Sequence, residues 1–107
     1  MTLQEIIEFL SEVDKKLNSD FPLESRERIF ARSLKVQEEL GELANEILIR
    51  QKLARKDKIE SSSSDDLEKE WSDVFFSLLL LGINLDVDVP QAISNRINVI
   101  KQRHDIR

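Results

Sequence analysis

The stretch VQEELGELANEI, residues 36–47, decides the fold class of this chain. Its apolar side chains recur at spacings of three and four residues, which is the period of an α-helix with one buried face. The members of this stripe are Val36, Leu40, Leu43, Ala44 and Ile47. We therefore expect a helix from about Ser25 or Arg26 to Leu53, with the stripe turned toward the core.

Three more helices are predicted around residues 36–47. The same period places one at about 3–17 and another at about 65–85. The last helix begins after a capping Asp88, where Gln91 is placed to complete a capping box, and it continues to about residue 104. The polar, serine-rich segment 54–66 is predicted to be a flexible connection. Within it, Ser63 or Ser64 is predicted to cap the third helix.

The composition agrees with a helical protein. Only 2 glycines and 2 prolines occur in 107 residues, whereas sheets need frequent turn residues. We expect a single all-α domain spanning residues 1–107, folded as a bundle of four to five helices. The net charge of −5 without a basic arm disfavours nucleic-acid binding. The longest apolar run is too short for a membrane span, so we expect a cytoplasmic protein.

The apolar run in the third predicted helix indicates self-association. Residues 74–81 are apolar almost all round, and a helix of that kind is buried on most sides. A chain of this length has little core with which to cover such a helix. We therefore expect this helix to pack in an interface between copies of the chain.

Acidic residues on the second predicted helix form an unusual run. Glu38 with Glu42, and Glu42 with Glu46, are like charges four residues apart, and such pairs destabilise an isolated helix. Lys35 is the one basic residue near them in that part of the sequence. Helical geometry places Glu39 about 90° from the centre of the apolar stripe, near the edge of the buried face.

The third predicted helix repeats this arrangement with Glu70 and Asp73. Glu70 falls close to the apolar stripe, and a carboxylate on a buried face must be protonated, paired or bound to a metal. If the two helices pack antiparallel, Glu39 and Glu42 face Glu70 and Asp73, and four carboxylates in one pocket require a divalent cation. The chain has no cysteine and one histidine, so oxygen ligands favour Mg²⁺, with Mn²⁺ as a substitute.

The two acidic patterns together resemble a known family. Glu38-Glu39-Leu40-Gly41-Glu42 followed by Glu70-Trp71-Ser72-Asp73 is similar to the EExxE…ExxD signature of the MazG-like, all-α nucleoside triphosphate pyrophosphohydrolases. The resemblance covers about residues 26–104. It implies a MazG-like helical fold and a homodimer or homotetramer.

The resemblance also implies a reaction and roles for residues. Such enzymes hydrolyse a (deoxy)nucleoside triphosphate to the monophosphate and pyrophosphate, which suits removal of unwanted nucleotides. By motif position, the metal ligands would be Glu39, Glu42, Glu70 and Asp73. Glu38 would be the catalytic base or a supporting ligand. The candidate substrate-binding residues are Arg96, Lys101 and Arg103 on the last helix and Lys56 in the connection; Phe21 or Phe30 would stack on the base.

Two other functions remain open from the sequence. One is a phosphoribosyl-ATP pyrophosphohydrolase, because enzymes of that class share the helical core. The other is a non-catalytic helical module that dimerises through residues 74–81. A module of that kind gives no reason for Glu70 to point inward.

Overall fold

The computed structural model describes residues 1–61 and 64–107, together with the side chains in those ranges except those of residues 64 and 65. These residues form five helices and no strand. The helices are α1 (Leu3–Asp20), α2 (Ser25–Arg50), α3 (Lys56–Ser61), α4 (Ser64–Asn84) and α5 (Val89–Arg103). The predicted all-α class is confirmed, and the four long helices lie within a few residues of their predicted limits.

Local sequence signals explain where two of these helices begin. The Thr2 hydroxyl accepts a hydrogen bond from the Glu5 backbone N–H at 3.1 Å, which caps α1. Asp88 caps α5 as predicted, because its carboxylate accepts from the Gln91 backbone N–H at 3.1 Å. The Gln91 side chain instead donates to Asn95 at 2.8 Å, one turn further along the helix.

The segment predicted to be a flexible connection contains the short helix α3. Its first turn is closed by a hydrogen bond from the Ile59 N–H to the Arg55 carbonyl at 3.1 Å. Lys56 and Glu60 form an ion pair four residues apart at 3.8 Å, a spacing that favours a helix. Ser63, one of two serines predicted to cap the following helix, lies outside the described residues.

Helices α2 and α4 form the centre of the fold and run antiparallel. Residues near the start of α2, such as Ala31, meet Leu80 late in α4, whereas Ile47 late in α2 meets Leu67 early in α4. Helix α1 packs across α4 and contributes Leu10, the most deeply buried apolar side chain. This packing brings the acidic residues of α2 opposite those of α4.

Much of the apolar surface is left uncovered within one chain. Leu79 of α4 is buried, but its neighbour Leu78 is 54% exposed. Helix α5 contacts α4 near its first turn, where Val89 packs over Gly82, and its isoleucines are exposed. None of the described helices combines the length and the apolar character needed to cross a membrane.

Candidate metal centre

Three carboxylates meet where α2 and α4 pack side by side. Glu39 comes from α2, and Glu70 and Asp73 come from successive turns of α4. One oxygen from each residue lies within 4.8 Å of the others. Oxygens on opposite sides of a Mg²⁺ ion are separated by about 4 Å, so a small inward movement suffices for shared coordination. These three residues, here called the carboxylate cluster, could hold a metal ion.

The cluster contains buried oxygens that lack protein partners. Glu39 is only 7% exposed. The Oε2 atoms of Glu39 and Glu70 are buried and accept no hydrogen bond from any described residue. A buried carboxylate oxygen without a donor is costly, because it has lost its hydration without compensation. The donor set therefore fits a hard cation, which would satisfy these oxygens.

Glu42, the fourth predicted ligand, lies at the exposed edge of the carboxylate cluster. The negative charge of Glu39 raises the pKa of the Glu42 carboxyl, and partial desolvation and the charge of Glu70 add to this effect. Hydrogen bonding with Glu70 and Glu39 also favours the protonated form. Like charges close enough to shift a pKa are a feature of sites that bind cations.

Lys69 provides a positive charge that the sequence reading did not assign to the site. Its Nζ atom lies 3.3 Å from Oε1 of Glu70 and 3.1 Å from Oδ2 of Asp73. These contacts raise the pKa of the Lys69 ammonium, with the hydrogen bond to Asp73 as the main cause. The ammonium therefore stays protonated and neutralises part of the cluster. Its spacing of four residues from Asp73 was visible in the sequence.

Lys35 plays a similar part on α2. Its Nζ atom lies 3.2 Å from Oε1 of Glu39 and 3.3 Å from Oε1 of Glu38. Hydrogen bonds to Glu39 and then Glu38 raise the pKa of Lys35. Glu38, the predicted base, is more than half exposed and lies outside the carboxylate cluster. Its catalytic role stays a prediction.

The predicted substrate-binding residues are not gathered at the cluster within one chain. Arg96, Lys101 and Arg103 lie on the exposed helix α5. Lys56 lies at the start of α3, where it is exposed and paired with Glu60. Their roles in binding substrate also stay predictions.

A cavity of about 490 Å³, here called the side cavity, opens beside the carboxylate cluster. Glu39 and Asp73 line it where it meets the cluster, and the cations Lys35 and Arg32 form part of its wall along α2. The remaining walls are apolar or small and consist of Leu17, Ala31, Phe76, Ser77 and Leu80. A volume of this size is in the range of small-molecule sites.

Aromatic residues occupy different positions from those predicted for base stacking. Phe21 and Phe30 are exposed, and Phe30 packs against the Arg26 guanidinium at 5.8 Å. Phe76 lines the side cavity instead. Sequence reasoning missed Phe76 because it falls inside an apolar run that predicted only an interface. Trp71 stacks on Phe75 and lines a separate, more apolar cavity.

A buried polar network borders the far end of the side cavity. Oδ1 of Asp14 accepts hydrogen bonds from Nε and Nη2 of Arg32, at 3.3 and 3.1 Å, and from Nδ2 of Asn84 at 2.9 Å. Oδ2 of Asp14 accepts from Nδ2 of Asn18 at 3.3 Å, and Oδ1 of Asn18 accepts from Arg32. These four residues, here called the Asp14 network, link α1, α2 and α4.

The arrangement therefore combines a carboxylate cluster that could hold a cation with an adjoining cavity that has cationic and apolar walls. Comparison of the chain with protein-family models, characterised proteins and solved structures found no match. The chemistry of the site must be argued from its own residues.

Proposed function

We propose that this chain is a Mg²⁺-dependent nucleoside triphosphate pyrophosphohydrolase. The observation that carries the proposal is the meeting of Glu39, Glu70 and Asp73, with buried and unpartnered oxygens on two of them. The motif resemblance to MazG-like enzymes supports the reaction, (d)NTP and water to (d)NMP and pyrophosphate. Triphosphates reach an acidic protein of this kind as complexes with divalent cations.

The residues around the cluster fit this chemistry. Glu39, Glu70 and Asp73 would hold Mg²⁺, with Glu42 at the rim as a fourth ligand. When bound, the metal would neutralise charge on the phosphates and activate the nucleophile. Lys35 and Lys69 already lie at the cluster and would donate to phosphate oxygens once their carboxylate partners engage the metal. Glu38 lies 3.3 Å from Nζ of Lys35 and is the candidate base.

Self-association of the chain is part of the proposal. A compact monomer of 12.5 kDa exposes roughly 6,200 Å², whereas this chain exposes 8191 Å². The radius of gyration is 17.1 Å, compared with about 13 Å for a compact domain of this size. The excess of roughly 2,000 Å² per chain matches what an obligate homodimer buries. The exposed apolar faces of α4 and α5 are the surfaces that a second copy would cover.

A non-catalytic dimerisation module is the second candidate function. The observation that favours it is the same uncovered apolar surface of α4 and α5. A role in dimerisation alone does not explain why Glu39 and Glu70 have buried, unpartnered oxygens. The hydrolase proposal accounts for both features, so we prefer it.

The deciding experiment measures pyrophosphate and orthophosphate released from a panel of nucleoside triphosphates and phosphoribosyl-ATP in the presence of Mg²⁺. We expect pyrophosphate from at least one substrate. Glu70→Gln should abolish release while leaving the helical circular dichroism spectrum unchanged. Glu68→Gln, which alters an exposed carboxylate on the same helix, is the matched control. No pyrophosphate from any substrate, or full activity in Glu70→Gln, would contradict the proposal.

A further inference from the structure

The side cavity continues directly from the carboxylate cluster. Glu39 and Asp73 belong to both the cluster and the cavity lining. If one part of a ligand is bound by the cluster, the part attached to it therefore lies at the cavity mouth. Along α2 the cavity wall extends from Glu39 back to Ala31, a distance of about 12 Å at the helical rise of 1.5 Å per residue. This length leaves room for the part of a ligand that lies beyond its phosphates.

The two ends of the side cavity differ in chemistry. Glu39 and Asp73 bring charge to the end that meets the carboxylate cluster. Farther along α4, Phe76 and Leu80 supply an aromatic ring and an apolar side chain to the wall. Apolar walls and an aromatic ring suit a flat, weakly polar group. The charged end suits phosphates accompanied by a cation. The cavity therefore has the polarity of a nucleotide, with its phosphates at the cluster.

Arg32 supplies a fixed hydrogen-bond donor in the wall of this cavity. Its Nε and Nη2 atoms are held by Asp14 and Asn18. Its Nη1 atom receives no hydrogen-bond partner from the described residues. Because Asp14 already balances the guanidinium charge, Arg32 is better suited to a neutral carbonyl than to a phosphate. A guanidinium only donates, so it selects for an acceptor.

We propose that the side cavity binds the nucleoside part of the substrate and that Nη1 of Arg32 donates a hydrogen bond to a carbonyl oxygen of the base. This inference rests on the proposed function, since it assumes that the phosphates lie at the carboxylate cluster. Uracil, thymine, cytosine and guanine offer a carbonyl oxygen. Adenine offers only ring nitrogens as acceptors, and it carries an amino group, which is a second donor, where guanine has its carbonyl. The Asp14 network positions Arg32, and Arg32 acts as a specificity-determining residue that disfavours adenine.

The first test fills the cavity without altering a charge. Ala31→Leu adds bulk to the cavity wall, and Ala44→Leu adds the same bulk at an exposed position of the same helix. The probes are α,β-imido-dUTP and inorganic tripolyphosphate, each with Mg²⁺, measured by isothermal titration calorimetry. We expect Ala31→Leu to weaken binding of the nucleotide analogue by about tenfold or more and to leave tripolyphosphate binding within about twofold. Ala44→Leu should change neither.

The second test concerns the base. The wild type should bind α,β-imido-dUTP more tightly than α,β-imido-dATP, and Arg32→Lys should bring the ratio of the two affinities toward one. Lysine keeps the positive charge beside Asp14 but loses the planar fork that directs Nη1. Equal affinity of the wild type for both analogues would overturn the role of Arg32.

The outcomes separate this inference from the proposed function. If the wild type releases pyrophosphate but Ala31→Leu binds the analogue as tightly as the wild type, the cavity assignment is wrong and the proposed function stands. If analogue binding depends on Ala31 but no substrate yields pyrophosphate, the cavity assignment stands and the proposed reaction is wrong.

Discussion

The Asp14 network and the carboxylate cluster are two buried polar regions that share helices α2 and α4. The side chains of Asp14 and Glu39 are similarly exposed, at 12% and 9%. Asp14 accepts four hydrogen bonds from Arg32, Asn18 and Asn84. Glu39 meets one lysine, and its Oε2 atom has no partner among the described residues.

The number of hydrogen-bond partners that a buried polar group has therefore helps to separate groups that stabilise the fold from groups that bind a cation. A buried network in which each charge is matched holds its helices together and needs no cation to balance it. A buried group of like charges with unpartnered oxygens weakens the fold unless something else completes it. Disruption of the first region is therefore expected to cost stability, and disruption of the second to cost metal binding.

The largest expected effect comes from breaking the Asp14 network. Asp14→Ala leaves the guanidinium of Arg32 buried without its counter-ion, and we expect a loss of about 3–5 kcal/mol in the free energy of unfolding. Urea denaturation followed by circular dichroism measures this loss. Asp20→Ala, which removes an exposed ion pair with Lys16 on the same helix, should cost under about 1 kcal/mol. Equal losses in the two variants would contradict the comparison.

The opposite behaviour is expected at the carboxylate cluster. Glu39→Gln has nearly the same shape and removes one of several like charges, so the melting temperature without metal should not fall. The rise in melting temperature on adding Mg²⁺ should disappear, whereas the wild type gains about 2.7 kcal/mol at a hundredfold excess over the dissociation constant. Differential scanning fluorimetry measures both, with the exposed Glu27→Gln as control. A Mg²⁺-dependent rise that survives in Glu39→Gln would remove this residue from the site.

These two regions also differ in how much of their structure could be predicted from the sequence. Glu70 was predicted close to its apolar stripe, because helical geometry is local. Glu39 was predicted only at the edge of its stripe, but it is buried, whereas Leu40, Ala44 and Ile47 of the predicted stripe are exposed. The stripe on α2 was therefore wrong as a guide to the face that packs on α4. The Asp14 network was not predicted, since Asp14 pairs with Arg32 across 18 residues and with Asn84 across 70. The spacing of apolar residues within one helix carries no information about pairs so far apart in the sequence. Their meeting depends on how α1 crosses α2 and α4.

The ion pairs that lysines form at the carboxylate cluster could be predicted only in part. Lys69 is four residues before Asp73, so the contact was readable from spacing, but which carboxylate a flexible lysine chooses depends on packing. The cavity and the role of Phe76 were beyond prediction because they require the relative placement of three helices. The uncovered face of α5 likewise depends on the direction in which the chain leaves α4.

Lys69 offers a smaller test of the comparison. Its ammonium occupies positions on Glu70 and Asp73 that a cation would need, so Lys69→Met should raise the affinity for Mn²⁺ several-fold. Electron paramagnetic resonance of free Mn²⁺ measures the dissociation constant directly. Lys15→Met, which removes an exposed partner of Glu12 on α1, should leave the constant unchanged. Weaker binding by Lys69→Met would mean that the lysine supports the metal site and does not compete with the metal.

The smallest expected effect is the pH dependence contributed by Glu42. Its pKa in the folded chain is raised above the ordinary value, chiefly by the charge of Glu39, so folding disfavours its ionised form. A raised pKa means that the folded state binds the proton more tightly than the unfolded state does. The favourable contribution is therefore present at low pH and is lost as the pH rises through the folded-state pKa.

Glu42→Gln has no such ionisation, so without metal this variant should melt at a higher temperature than the wild type at pH 7.5. The difference should shrink as the pH is lowered through the folded-state pKa of Glu42, because protonation relieves the repulsion in the wild type. Saturating Mg²⁺ should reverse the order at pH 7.5, because the ionised carboxylate then gains a cation. A difference that stays constant with pH would show that Glu42 does not sense the charges of the carboxylate cluster and would reduce the site to its three remaining ligands.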